Sequence, residues 1–136
     1  MSIVLGRDGA TLTISAPDAY DGEPAQPTYV RLELPKLKAA CAVWLDPDNP
    51  EPALWLFFKE LAESWRGWSG VKRWKSYEGV LAPSCTHDGL GHVQMTVELH
   101  DATVPDGWSV RGTIELEAGA LGEYAVAARR LGETAE

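Results

Sequence analysis

The stretch His92 to His100, HVQMTVELH, constrains this chain more than any other. Val93, Met95, Val97 and Leu99 alternate with polar or charged residues, the period of a strand with one buried face. Such a strand cannot stand alone, because its backbone needs hydrogen-bonded neighbours and its apolar face needs a covering layer. The neighbouring sequence supplies both. Trp108 to Glu117 carries Trp108, Val110, Ile114 and Leu116 on one face, and Lys72 to Thr86 is a third strand-like run, interrupted by Gly79 and Pro83. Proline has no N–H to give a ladder, so Pro83 belongs at an edge or a bulge. The three runs read as an antiparallel meander.

The N-terminal part repeats the pattern. Ile3 to Leu5 and Leu12 to Ser15 flank Arg7, Asp8 and Gly9, and Asp-Gly is a strong tight-turn signal, so these form a hairpin. Residues 17–27, rich in Pro, Asp, Gly and Ala, read as a surface loop. Thr28 to Leu34 places Val30, Leu32 and Leu34 on one face; Pro35 and Lys36 break the run, and Leu37 to Leu45 resumes it with Leu37, Ala39, Cys41, Val43 and Leu45. Between the two strand blocks, Leu54, Phe57, Phe58, Leu61, Ala62 and Trp65 recur at helical spacing. This helix is expected to be capped by Asp48 or Asn49 and to stop near Gly67. A second helix is expected from Ala118 to Leu131, with Leu121, Tyr124, Ala125 and Ala128 as its stripe and residues 132–136 fraying. The order ββββ-α-βββ-α predicts an α+β fold: one mostly antiparallel sheet of about seven strands with two helices packed on one side. At 136 residues the chain forms a single domain, 1–136.

Twenty acidic against twelve basic residues leave a net charge of −8, which argues against nucleic acid as a ligand. No apolar run approaches the ~18 residues of a membrane span and no leader pattern opens the chain, so the expected location is the cytoplasm, away from membranes. Cys41 and Cys85 sit within apolar strand runs without metal-ligand spacing and are expected as free, packed thiols.

Chemistry-bearing residues crowd between Trp65 and Val93. If Asp88 to Gly91 form the loop of a hairpin, His87 and His92 face each other with Cys85 on the same face, a geometry that permits a metal site. The apolar pattern favours another register, with Cys85 opposite Val93, Pro83 opposite Met95 and Leu81 opposite Val97. That register sends the two histidines to opposite faces, and a bulge near Gly91 reconciles it with the turn. No metal or other cofactor is therefore expected. The same register sets Gly79 opposite Leu99, with Trp108 covering the bare glycine, and Glu78 opposite His100. The sequence has no GxSxG elbow, phosphate-binding glycine loop or HExxH, which leaves an enzyme as the minor alternative. A basic, aromatic loop remains: Trp65, Arg66, Trp68, Lys72, Arg73 and Trp74, with Glu78 beside it. Aromatic residues interleaved with arginine are what the centres of protein interfaces are made of, so this loop is the candidate protein-binding edge.

Trp65 to Gly70 (WRGWSG), Trp74 to Gly79 (WKSYEG) and His87 to Val93 (HDGLGHV), with the preceding FF-x-x-L-A helix, resemble an uncharacterised actinobacterial family. The pattern is similar to immunity proteins of the WapI type, which are encoded beside contact-dependent toxins. The resemblance covers about Leu54 to Leu121 and rests on glycine and tryptophan positions, which mark a fold more than a chemistry. It implies a non-catalytic protein that neutralises a toxin domain by binding it, and the acidic surface suits a basic toxin. A binding or scaffolding module for another protein, and a small-molecule or metal-dependent enzyme, are the alternatives.

Overall fold

The computed structural model describes residues 2–16, 28–43, 53–76 and 79–135, with side chains through residue 131. Four strands come first: β1 (Ser2–Arg7), β2 (Ala10–Ser15), β3 (Thr28–Leu34) and β4 (Leu37–Val43). Helix α1 (Leu54–Glu63) follows, then β5 (Lys72–Arg73), β6 (Leu81–His87), β7 (His92–His100) and β8 (Ser109–Glu117). A 3-10 turn, Ala118–Ala120, leads into α2 (Leu121–Ala135). Every ladder is antiparallel, and the strands lie in chain order as two four-stranded sheets, β1-β2-β3-β4 and β5-β6-β7-β8. The α+β class is as expected, but two sheets replace the single sheet of about seven strands. Each block carries one apolar face, and two such faces can cover each other. Leu32 and Leu34 of β3 lie against Gly112 of β8, and one core cluster takes in Leu5, Leu12, Val30 and Leu32 from one sheet and Met95, Val97, Leu99 and Ile114 from the other.

The β1-β2 hairpin forms as its sequence dictates. Asp8 and Gly9 both have positive φ, 55° and 81°, and Arg7 pairs with Ala10, a two-residue connection whose twist suits the flanking strands. Residues 17–27, expected as a loop, lie outside the described residues.

The expected run from Lys72 to Thr86 is instead two strands. Ser76 turns the chain back: its N–H donates to the Leu81 carbonyl at 2.8 Å and its hydroxyl accepts the Leu81 N–H at 3.0 Å. Pro83 explains why β5 is so short. Its carbonyl accepts the Trp74 N–H at 3.1 Å, but it has no N–H to return, so the ladder ends after Arg73.

In the β6-β7 hairpin the faces are as expected and the register is not. Leu81 pairs with Leu99, Pro83 with Val97, Cys85 with Met95 and His87 with Val93, two residues from the expected pairing. A slip of two preserves the side-chain parity, so the apolar face survives. The cause is the loop. Asp88 donates its N–H to the His92 carbonyl at 3.1 Å, while its Oδ1 accepts the N–H groups of Leu90 at 2.6 Å and His92 at 3.1 Å. The aspartate side chain thus gathers the turn around itself, with Gly89 and Gly91 at positive φ. Gly79 consequently precedes β6 rather than facing Leu99, and Trp108 comes just before β8, its carbonyl accepting the Asp101 N–H; a Cβ at Gly79 would have nothing within 4 Å, so Trp108 does not cover that glycine.

Helix α1 buries Leu54, Phe57, Phe58 and Leu61 of the expected stripe, with Ala62 half-buried and Trp65 exposed. Its N-cap is Ala53, without a side-chain cap bond; Asp48 and Asn49, expected as caps, lie outside the described residues, as do all of residues 44–52. Helix α2 runs to Ala135, past the end expected at Leu131, and buries Leu121, Ala128 and Leu131. The two helices pack on each other, with the rings of Phe58 and Tyr124 edge to face at 6.4 Å and the Arg129 guanidinium 5.1 Å from the Trp55 ring. Among the described residues no helix is long and apolar enough to cross a membrane.

Candidate functional site

The segment that leaves α1 is the candidate protein-binding loop, and its two ends are fixed differently. Ser64 ends the helix, and the chain turns twice, through Trp65 N–H to the Ala62 carbonyl at 3.3 Å and Gly67 N–H to the Ser64 carbonyl at 2.9 Å. These turns throw Trp65 off the helix stripe, where the spacing predicted it, and into solvent: it is 50% exposed, with the Arg66 guanidinium 5.3 Å from its ring centre. Trp68 points inward. Its indole N–H donates to the Cys85 carbonyl at 3.3 Å, the His87 ring meets it edge-on at 5.1 Å, and the Lys72 ammonium lies 5.8 Å from its ring.

His87 pins the loop to the β6-β7 turn. Its Nδ1 accepts the Gly89 N–H at 2.8 Å, so the proton sits on Nε2, which donates to the Trp65 carbonyl at 2.7 Å. Both nitrogens are thereby engaged in holding backbone.

Not all of the expected residues share this surface. Trp74 is only 5% exposed and belongs to the core. Lys72 is half-buried and donates to Glu60 Oε1 at 2.9 Å, a partner on α1 that the sequence pattern did not flag. Arg66 and Arg73 are exposed, as are Lys75 and the apolar Val71. Glu78 lies outside the described residues. The exposed residues of this stretch are therefore Trp65, Arg66, Val71, Arg73 and Lys75, with Trp68 half-buried.

DUF6228, a family of unknown function, matches residues 3–134, nearly the whole chain. The chain belongs to the DUF6228 family. No curated protein matches it.

In this DUF6228 chain the three residues weighed as a metal site are dispersed. Cys85 is fully buried, and that burial pushes its thiol up to about 12, so it stays protonated. His87 faces the loop, and His92 lies on the opposite face of the sheet. There His92 joins a different set: Asp88 at its Nδ1, and Glu115 and Glu117 of β8 near its Nε2. Hydrogen bonds from the Leu90 N–H, then from His92, hold the Asp88 carboxyl below the usual carboxylate range. The signal for Glu115 and Glu117 lay in the cross-strand register. Their alternation on β8 was legible, but the pairing of His92 with Glu117 depended on where the β7-β8 connection closes.

Proposed function

We propose that this chain is a non-catalytic protein-binding domain that engages its partner through the loop after α1, and that it neutralises a cognate toxin domain in the manner of an immunity protein. The observation that carries the reading is Trp65: a large aromatic side chain half in solvent, with Arg66 stacked on it, on a backbone fixed by His87 from below. Tryptophan and arginine dominate binding energy at interfaces, and a loop held in place before binding loses little entropy when a partner docks. Trp68, bonded to β6, supplies the rigid floor.

The charge of the whole chain supports the toxin reading in a different way. A net charge of −8 attracts a basic partner, such as a nuclease domain, over a longer range than any contact. The basic loop then provides local contacts through stacking and hydrogen bonds. In this reading the protein acts in the cytoplasm, where its partner would otherwise do damage.

The direct experiment pairs the purified chain with a toxin domain encoded beside it. Binding at micromolar or lower concentration, with Trp65→Ala and Arg66→Ala each weakening it about tenfold or more, is the expected result. Cells expressing the toxin should be rescued by the wild-type chain and less well by these variants. No binding at micromolar concentration would sink the reading.

A further inference from the structure

The outer face of the second sheet carries a second cluster, independent of the loop after α1. β7 and β8 pair His92 with Glu117, and Glu115 lies two residues away on the same face. The ligand atoms of the three all lie within 4.8 Å of one another, with His92 Nε2 3.6 Å from Glu115 Oε1 and 3.8 Å from Glu117 Oε1. On the other side of the ring, Nδ1 is 3.1 Å from Asp88 Oδ2. Asp88 is itself held by the N–H groups of Leu90 and His92, so this carboxylate is fixed before anything binds.

We propose that His92, Glu115 and Glu117 bind a divalent transition-metal ion, with Asp88 as the residue that orients the imidazole. A carboxylate at Nδ1 draws the ring proton to that nitrogen and leaves Nε2 with its lone pair outward, the form in which histidine ligates metal. That lone pair then faces two carboxylate oxygens, three electron-rich atoms that a cation satisfies together. Ligands bound at ~2.1 Å in a tetrahedron lie ~3.4 Å apart, so the site closes by small side-chain movements. One imidazole and two carboxylates suit Zn²⁺ and its neighbours better than Ca²⁺ or Mg²⁺, which favour all-oxygen sets. The fourth position faces solvent. Arg7 already places Nη2 3.2 Å from Glu117 Oε1, but both side chains are about half exposed, so this solvent-screened ion pair is little obstacle to a metal.

The test is titration of the chelator-stripped chain with Zn²⁺ alone, followed by calorimetry and by the imidazole ¹⁵N signals. One ion per chain should bind in the micromolar range, and the Nε2 signal of His92 should shift while those of His87 and His100 stay. Asp88→Asn should weaken binding about 10- to 100-fold, as loss of a residue that orients a ligand does, and Glu115→Gln by at least as much. Arg7→Ala should bind as tightly or more so. Glu98→Gln, on the same outer face but paired with Arg111, should leave binding unchanged. Absence of binding up to millimolar Zn²⁺, affinity untouched by Glu115→Gln, or a shift at His87 or His100 instead would each overturn the site. The ¹⁵N readout on the wild-type chain keeps the proposal falsifiable even where a variant folds poorly.

Discussion

Single side chains show how burial replaces reactivity in this protein. Cys85 sits against Met95 inside the second sheet, and desolvation alone pushes its thiol up to about 12. Cys41 lies on the edge strand β4, only partly buried, and its thiol is raised by burial and then by the nearby charge of Asp101. The two thiols should therefore separate in a simple experiment. Iodoacetamide at pH 8 should modify Cys41 first and leave Cys85 intact in the native chain, with both modified in denaturant; native modification of Cys85 first would contradict the packing. The linkage has a definite sign. A thiol that keeps its proton in the folded chain, but loses it near 9 when unfolded, makes the folded state bind more protons across that interval, so stability falls as pH rises from about 9 towards 12. In Cys85→Ala this part of the alkaline decline should disappear, as read from urea midpoints across that range.

At the scale of elements, the decisive contact is between sheets. Gly112 on β8 has no Cβ, and one placed there would collide with Leu34 Cδ1 and lie 3.3 Å from Leu34 Cγ. The glycine is the notch into which β3 delivers Leu34. Gly112→Val should lower stability by about 1–3 kcal/mol through overpacking, and Leu34→Ala in the same chain should recover part of the loss. If the two changes proved additive in denaturant unfolding, the sheets would not meet here. This contact also marks what the sequence could and could not say. The faces of β3, β6, β7 and β8 were legible because alternation is a local property of each strand. The register of β6 against β7 was misplaced by two residues because Asp88 sets the loop through side-chain hydrogen bonds that a pattern of apolar and polar residues does not contain. The division into two sheets was hidden for a related reason: alternation says that a face is covered, not by what. Within the candidate loop, Trp65 and Arg66 were named from composition and are exposed, whereas Trp74 was assigned to the surface because nothing in a short basic run tells which tryptophan the β5-β6 turn buries.

Among the described residues one core cluster draws side chains from both sheets and both helices, and that unity has a measurable consequence. Phe58 on α1 is almost fully buried, touches Phe57 and Tyr124 across rings 5.9 and 6.4 Å apart, and sits in the same cluster as Leu5 and Leu12 of the first sheet and Leu99 and Ile114 of the second. A shared core leaves neither sheet a private apolar interior, so neither can unfold while the other keeps its stability. The two halves are also observable separately. The indole N–H signals of Trp68 and Trp74, assigned by NMR among the six tryptophans, report on the second sheet, while backbone amide signals of Val30 and Leu32 report on the first. Urea unfolding should give coincident transitions by the two probes. Phe58→Ala should move both together, by about 3–5 kcal/mol, because the cavity it leaves opens at the junction of helices and sheets. Separate midpoints, or a variant that shifts only the tryptophan signals, would mean that the sheets are independent units and that the loop after α1 stands on a scaffold less rigid than the proposed binding role requires.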